Sequence, residues 1–156
     1  SEPLSVSEEI SHTKKYLDLE KERFGDVLNV VWNVSDDSFF IPPLVLQPLV
    51  ENAVRHGICQ KEDGGTIWID IYSDINDHHI VITDNGEGFD TSDPGESNDK
   101  LHVGLSYARE QVEGICGGKI AVESTPGRGT KVHISLPREN NTIFSLRHKN
   151  EKMDSN

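Results

Sequence analysis

Cysteine is nearly absent from this chain, with only Cys59 and Cys116 among its 156 residues. Two thiols so far apart cannot build a disulfide framework or a four-ligand zinc cluster, which excludes small disulfide-stapled and zinc-finger folds. Both sit at apolar helix ends, so the expectation is buried, reduced thiols. Basic residues are also scarce: 15 Lys and Arg stand against 27 Asp and Glu, a formal net charge of −12. A nucleic-acid partner needs a basic stripe, and none is available. No apolar run is long enough to span a bilayer, and no signal-peptide pattern opens the chain. The expectation from this is only that the piece itself is soluble, without direct membrane contact, whatever it is cut from. Several catalytic signatures are missing as well: no GxxxxGK[ST] phosphate loop, no GxGxxG fingerprint, no GxSxG elbow and no HExxH helix occurs.

What is present alternates cleanly between helical and strand periods. Ser7 to Phe24 reads as a helix capped by Ser7 and stopped by Gly25. Ile10, Leu17 and Phe24 recur every seventh residue in it, with Thr13 and Glu20 at the intervening seam positions. So poor a seam suggests the end of a longer helix whose partner is absent. Leu28 to Val34 alternates as a half-buried strand, and Pro42-Pro43 breaks the chain before a second helix. That helix carries an apolar stripe of Leu46, Leu49, Val50, Ala53 and Val54 and ends at Gly57, with Pro48 in its first turn. Ile67, Ile69 and Ile71, then Ile80 and Ile82, mark two strands joined through a polar turn at Asp74 to Asp77. His78 and His79 at that strand start are expected to be solvated. Phe89 to Val103 is polar and reads as an exposed, mobile loop. Leu105, Ala108, Val112 and Ile115 follow at helical spacing up to Gly117-Gly118, and a hairpin closes around Pro126 to Gly129. Short connections favour antiparallel pairing. The expected fold class is therefore α+β: a two-layer sandwich of a mixed, mainly antiparallel sheet with helices on one face.

Chemistry concentrates in two motifs, ENAVRHG at Glu51 to Gly57 and DNGEGF at Asp84 to Phe89. Asn52 offers a carbonyl oxygen suited to Mg²⁺, and Arg55 and His56 can donate to phosphate oxygens. A plainer alternative makes Glu51 and Arg55 an i, i+4 ion pair, although Asn is a poor mid-helix residue that needs a reason. Asp84 at a strand end can accept from an exocyclic amine, with Gly86 and Gly88 letting a flat base approach the backbone. The alternative is an ordinary Asp-Asn-Gly turn. An EF-hand calcium loop is disfavoured, because Gly86 and Gly88 fall where it needs ligands. Gly104 at a helix start offers backbone N–H groups to an anion. Thr130 either supports a ligand near Asp84 or is simply a β-branched strand residue.

In this order the motifs resemble the catalytic ATP-binding domain of bacterial sensor histidine kinases, with the Bergerat fold shared by gyrase-type topoisomerases and MutL proteins. LQPLVENAVRHG looks like the N box, DNGEGF and HVGLSYARE like the two glycine boxes, and TPGRGTKVHISLP like the closing hairpin. YLDLEKERFGD is similar to the lead-in of the LytS/YesM-like subfamily, and the match runs from about Ser7 to Pro137. The resemblance implies a cytoplasmic part of a membrane-bound sensor that uses ATP and Mg²⁺. It implies Mg²⁺ on Asn52, phosphates at Arg55 and His56, and the adenine amine at Asp84 between Gly86 and Gly88. Gly104 and Leu105 would cradle phosphates under a lid at 89–103, Thr130 would support adenine, and Glu51 would be an acid beside the acceptor. It divides the chain into the end of a dimerisation and phosphoacceptor helix region (1–25), the ATP-binding domain (26–138) and a polar, disordered tail (139–156). The implied partners are the upstream dimerisation domain of the same protein, homodimeric at full length, and a response regulator. Two departures accompany the match: no histidine here lies in a phosphoacceptor context, and the second glycine box holds one clear glycine. A gyrase-type ATPase would place an acid one turn before Asn52, where Pro48 stands. A serine kinase would not need the YLDLEKERF lead-in.

Overall fold

The computed structural model describes residues 4–58, 62–92, 104–141, 150 and 152–154. Strand β1 (Leu4–Ser5) leads into helix α1 (Val6–Phe24). The cap is Ser5, whose side chain accepts the Glu8 N–H at 3.3 Å, and not Ser7 as the sequence suggests. Val6 already joins the core, fully buried, and the helix starts there, two residues before the Glu8 start that a Ser7 cap would give. Gly25 ends α1 with φ 66, a conformation that favours glycine. Strands β2 (Leu28–Val34) and β3 (Phe40–Ile41) follow, β3 pairing with β1 in a small separate sheet that alternation does not reveal.

Helix α2 (Leu46–Asn52) continues as a π-helix over Ala53–Ile58. Pro48 lies in its first turn, where an N–H would have no intrahelical partner anyway. Strands β4 (Gly65–Ser73) and β5 (Asp77–Asp84) form a hairpin. Helix α3 runs over 104–109 and widens into a π-helix at Glu110–Ile115, and β6 (Lys119–Thr125) and β7 (Gly129–Pro137) close the chain. The wider turn moves Ile115 off the expected stripe: it is exposed, while Cys116 takes the core position. Cys116 is a buried free thiol, as expected, and burial pushes it up to about 11; Cys59 lies outside the described residues.

The main sheet has the order β2-β4-β5-β7-β6 and is antiparallel except for the parallel β2–β4 pair. That pair is parallel because its connection crosses over through α2 instead of a tight turn. Ile67, Ile69, Ile71, Ile80, Ile82, Val132, Ile134 and Leu136 line the covered face, against Val6, Ile10 and Leu17 of α1, Leu46, Leu49, Val50 and Val54 of α2, and Ala108 and Val112 of α3. The expected mixed, mainly antiparallel sheet with helices on one face is what forms.

Three expectations need correction. The α1 seam has its partner inside this domain: Ile10 and Leu17 are buried in the core, and Thr13, also buried, donates to the Glu9 carbonyl at 2.7 Å. His78 and His79 are buried, because both faces of β5 are covered at this end. His78 stacks on Phe39 with centroids 4.3 Å apart, and His79 bonds Asp74 at 2.7 Å and His133 at 2.9 Å. The tail does not begin as disorder at Glu139: residues 138–141 are helical. Asn141 is buried and clamps Phe40, donating to its carbonyl at 2.7 Å and accepting its N–H at 2.9 Å. Ile143, Phe144 and Leu146 lie outside the described residues.

Candidate functional site

Helix α2 and its π extension cross the C-terminal end of β5, and a cleft opens between them. Asn52, His56, Asp84, Gly88, Phe89 and Thr130 line it over an apolar floor of Leu49, Ala53, Ile82 and Val132. Asp84 and Thr130 are direct partners across the β5–β7 pair, so the expected proximity of these two residues is a consequence of sheet register. Asp84 is buried, and one of its oxygens accepts the Gly86 N–H at 2.9 Å. A carboxylate has further lone pairs for a donor from a ligand. The Thr130 hydroxyl pairs with Ser124 at 2.8 Å.

Asn52 is 7 % exposed, and its Nδ2 has no hydrogen-bond partner among the described residues. Leaving a buried donor unsatisfied costs about 1–3 kcal/mol. A Cβ at Gly104 would come within 2.8 Å of that nitrogen, so glycine at 104 keeps the space beside Asn52 open. Gly104 is buried and is the first described residue of its helix. Leu105 packs on the core.

Helical geometry divides the ENAVRHG residues. Asn52 and His56 share the cleft, whereas Glu51 and Arg55 line a separate groove with Tyr16, Glu20, Arg23, Phe24 and Val54. Adjacent helical residues point roughly 100° apart, and residues four apart share a face. Glu51 and Arg55 thus face α1 and not the cleft, and Glu51 accepts a bond from Gln47 Nε2 at 3.1 Å.

Gly86 and Gly88 also have a cause within the fold itself. A Cβ at Gly86 would strike the backbone of Gly57, and one at Gly88, where φ is 66, would strike the Thr125 carbonyl. Close approach of the protein backbone to itself fixes both, although Gly88 also borders the cleft. Phe89 is buried on the cleft wall, and its N–H donates to Ser124 Oγ at 2.9 Å. It is thus an anchor and not the first residue of a mobile loop; residues 93–103 of the expected lid lie outside the described residues. Ser124 and Gly57 are site residues that sequence reasoning missed. The former left no signal, but a glycine ending the N-box-like motif could have pointed to the latter.

The profile of the family described as histidine kinase-, DNA gyrase B-, and HSP90-like ATPases matches residues 41–140. The chain is 38% identical over 142 residues to the uncharacterized protein YwpD of Bacillus subtilis, covering 85% of this chain and 49% of YwpD. It is 28% identical over 149 residues to the sensor histidine kinase YpdA of Escherichia coli, covering 92% of this chain and 26% of YpdA. To the sensor protein LytS of Bacillus subtilis it is 29% identical over 147 residues, covering 87% and 25%. The chain thus spans between a quarter and a half of the length of these curated relatives. Among solved structures, the catalytic domain of histidine kinase ThkA matches with TM-score 0.66 at 17% identity, covering 86% of this chain and 93% of that one. The Acinetobacter baumannii histidine kinase AdeS matches with TM-score 0.67 at 16% identity, covering 87% and 66%. At these identities the likeness is one of fold.

Proposed function

Because the chain belongs to the histidine kinase-, DNA gyrase B-, and HSP90-like ATPase family, we propose that its cleft binds ATP with Mg²⁺ as the catalytic part of a two-component sensor histidine kinase. The observation that carries this reading is the juxtaposition of Asn52, with its unpartnered amide, and the Asp84–Thr130 pair across one cleft. Asp84 accepts from the adenine amine, and Thr130 supports it from the neighbouring strand. Asn52 holds Mg²⁺ through its carbonyl oxygen, a hard ligand of the kind that ion prefers, while its orphaned N–H₂ finds an acceptor in a phosphate oxygen. His56 donates to the phosphates from one turn further along the helix, and the backbone N–H groups of Gly104 and Leu105 are assigned to them as well, Gly104 lying beside Asn52. Bound Mg²⁺ supplies charge neutralisation for the β- and γ-phosphates.

Phosphoryl transfer needs the acceptor in line with the γ-phosphate and little covalent help from the protein. An imidazole nitrogen bonds to the γ-phosphorus as the bond to the β-γ bridging oxygen breaks, and ADP leaves. On this reading the acceptor histidine belongs to a dimerisation domain upstream, and a response regulator then takes the phosphoryl group; the relative YpdA is named a sensor histidine kinase. On the same reading the domain lies in the cytoplasm; no helix among the described residues is long and apolar enough to cross a membrane.

Titration with a non-hydrolysable ATP analogue tests the reading. Saturable binding should be weakened by EDTA and by Asn52→Ala, and ATP should outcompete GTP through Asp84. Labelled ATP should mark a longer fragment bearing the upstream helices with acid-labile phosphate and leave this chain unmarked. Acid-stable label on this chain would overturn the histidine-kinase assignment in favour of a serine kinase.

A further inference from the structure

Glu9 lies on the first turns of α1, yet it is only 3 % exposed. Its Oε1 accepts the N–H of Val45 at 3.3 Å. Burial raises its pKa above the usual carboxylate value, and hydrogen bonding from the N–H groups of Val45, Leu46 and Leu44 opposes that rise. Those three residues are the entry to α2. Val45 is the N-cap and makes no side-chain cap bond of its own, and Leu44 takes φ 62, the only positive φ outside glycine among the described residues.

A helix start leaves its first N–H groups without intrahelical partners, and a local Ser, Thr, Asp or Asn ordinarily satisfies them. The sequence has Leu44, Val45 and Leu46 there, none of which can. Val45 and Leu46 are almost fully buried, so water does not serve either. The acceptor comes instead from a different helix, 36 residues earlier in the chain, as a carboxylate facing the positive end of the α2 dipole. Two turns on, the same helix delivers Asn52 to the cleft.

We propose that Glu9 is a positioning residue for the nucleotide cleft: through its carboxylate, α1 holds the first turn of α2 and so sets the place of Asn52. This rests on the reading of the cleft as a site for nucleotide and Mg²⁺. A helix as short as α2 moves nearly as a rigid rod, so a shift at Val45 reaches Asn52. It reaches Asp84 less directly, since that residue is held by β5 pairing and by the Gly86 N–H and meets the α2 rod at Gly57, in its π-helical end. Displacement of α1 is thereby coupled more strongly to metal and phosphate binding than to adenine binding.

Calorimetric titration of the full chain separates these terms, with a non-hydrolysable Mg-ATP analogue in one arm and adenosine in the other. Glu9→Ala should weaken the analogue by about tenfold, the scale typical of lost outer-shell support, while adenosine affinity stays within about twofold. Glu9→Gln keeps the acceptor oxygen and should recover most of the loss. Independently of any ligand, the side-chain amide resonances of Asn52 should shift in Glu9→Ala and much less in Glu9→Gln. Should Glu9→Ala fail to fold, Glu9→Asp, one methylene too short to reach Val45, carries the same comparison. Equal weakening of both ligands, unchanged analogue affinity, or a Gln variant as impaired as the Ala variant would each overturn the proposal. If the unaltered chain binds neither ligand, the nucleotide reading fails, and unmoved Asn52 resonances in Glu9→Ala would then sink the positioning role as well.

Discussion

At residue 57 the π-helical end of α2 passes so close to β5 that a Cβ would lie 2.8 Å from the Asp84 Cγ. Gly86 meets the same backbone from the other side, since a Cβ there would strike the Gly57 carbonyl. The Asp84 carboxylate is thus held between a glycine that gives it room and one whose N–H it accepts. Gly57→Ala should cost about 1–3 kcal/mol, the range for overpacking a tight contact, and should push the carboxylate off its position. The measurable pair is a lower urea midpoint together with a reduced preference for ATP over GTP. Gly114→Ala is the contrast: nothing lies within 4 Å of its Cβ position, in a helix, and alanine there should stabilise by about 0.5–1 kcal/mol. If the two variants unfold alike, the packing account of Gly57 is wrong.

For the elements, α1 shows how a sound pattern can be assigned the wrong partner. Its seven-residue spacing was legible, but periodicity reports only that a face is buried, not against what, and Ile10 and Leu17 turn out to pack on this domain's own sheet and α2. Strands β2, β4, β5, β6 and β7 were legible because alternation over seven to nine residues is hard to mimic. The β1–β3 pair spans two residues per strand, too short for any period. The π segments were not legible either, since an added residue per turn depends on packing; Ile115 and Cys116 exchange places for that reason. At the cleft, Asn52, Asp84 and Thr130 could be placed from strand ends and helix period. That Glu51 and Arg55 face α1 was not read from the motif, because it sets side by side in sequence residues that helical geometry sends to different sides. The start of α1 supplies a direct check: Ser5→Ala should cost about 1 kcal/mol, as loss of an N-cap does, whereas Ser7→Ala, exposed and touching the cap only through its hydroxyl bond to Ser5 Oγ at 3.0 Å, should cost less. Equal losses in thermal or urea denaturation would contradict the observed cap.

Across the whole molecule, the end of the sheet opposite the cleft holds a polar network whose charge state links folding to pH. The pKa of His78, packed against Phe39 and bonded to Ser73, is lowered chiefly by desolvation, with Asp36 and Asp77 opposing and the charges of Arg138 and His79 adding to the fall. His133, bonded to His79, is also depressed mainly by desolvation, with the His79 and Lys131 charges adding to it and Glu123 opposing. A depressed folded pKa means that the unfolded chain takes up the proton first. The contribution is therefore complete above the ordinary histidine value of 6.5 and is lost as pH falls below it. Glu9 works in the opposite sense: its raised pKa makes the folded state bind the proton more readily, so stability gains as pH falls toward its ordinary value of 4.5. Asp36 and Asp74 sit at about 2 against an ordinary 3.8, through hydrogen bonds from Ser38 and Ser73 and from the turn amides at Asp77 and Asn76. Their support disappears only in strong acid, between those two values. Urea unfolding across this range should show a plateau above pH 6.5, a first decline just below it, and a second below 3.8. His133→Gln, with no titrating group at 133, should flatten the first decline and leave the second unchanged. Glu9→Gln should instead steepen the first decline where it approaches 4.5, because it removes a group whose protonation favours folding in that range. A His133→Gln profile superimposable on the unaltered one would mean that the buried imidazoles do not set the upper limb.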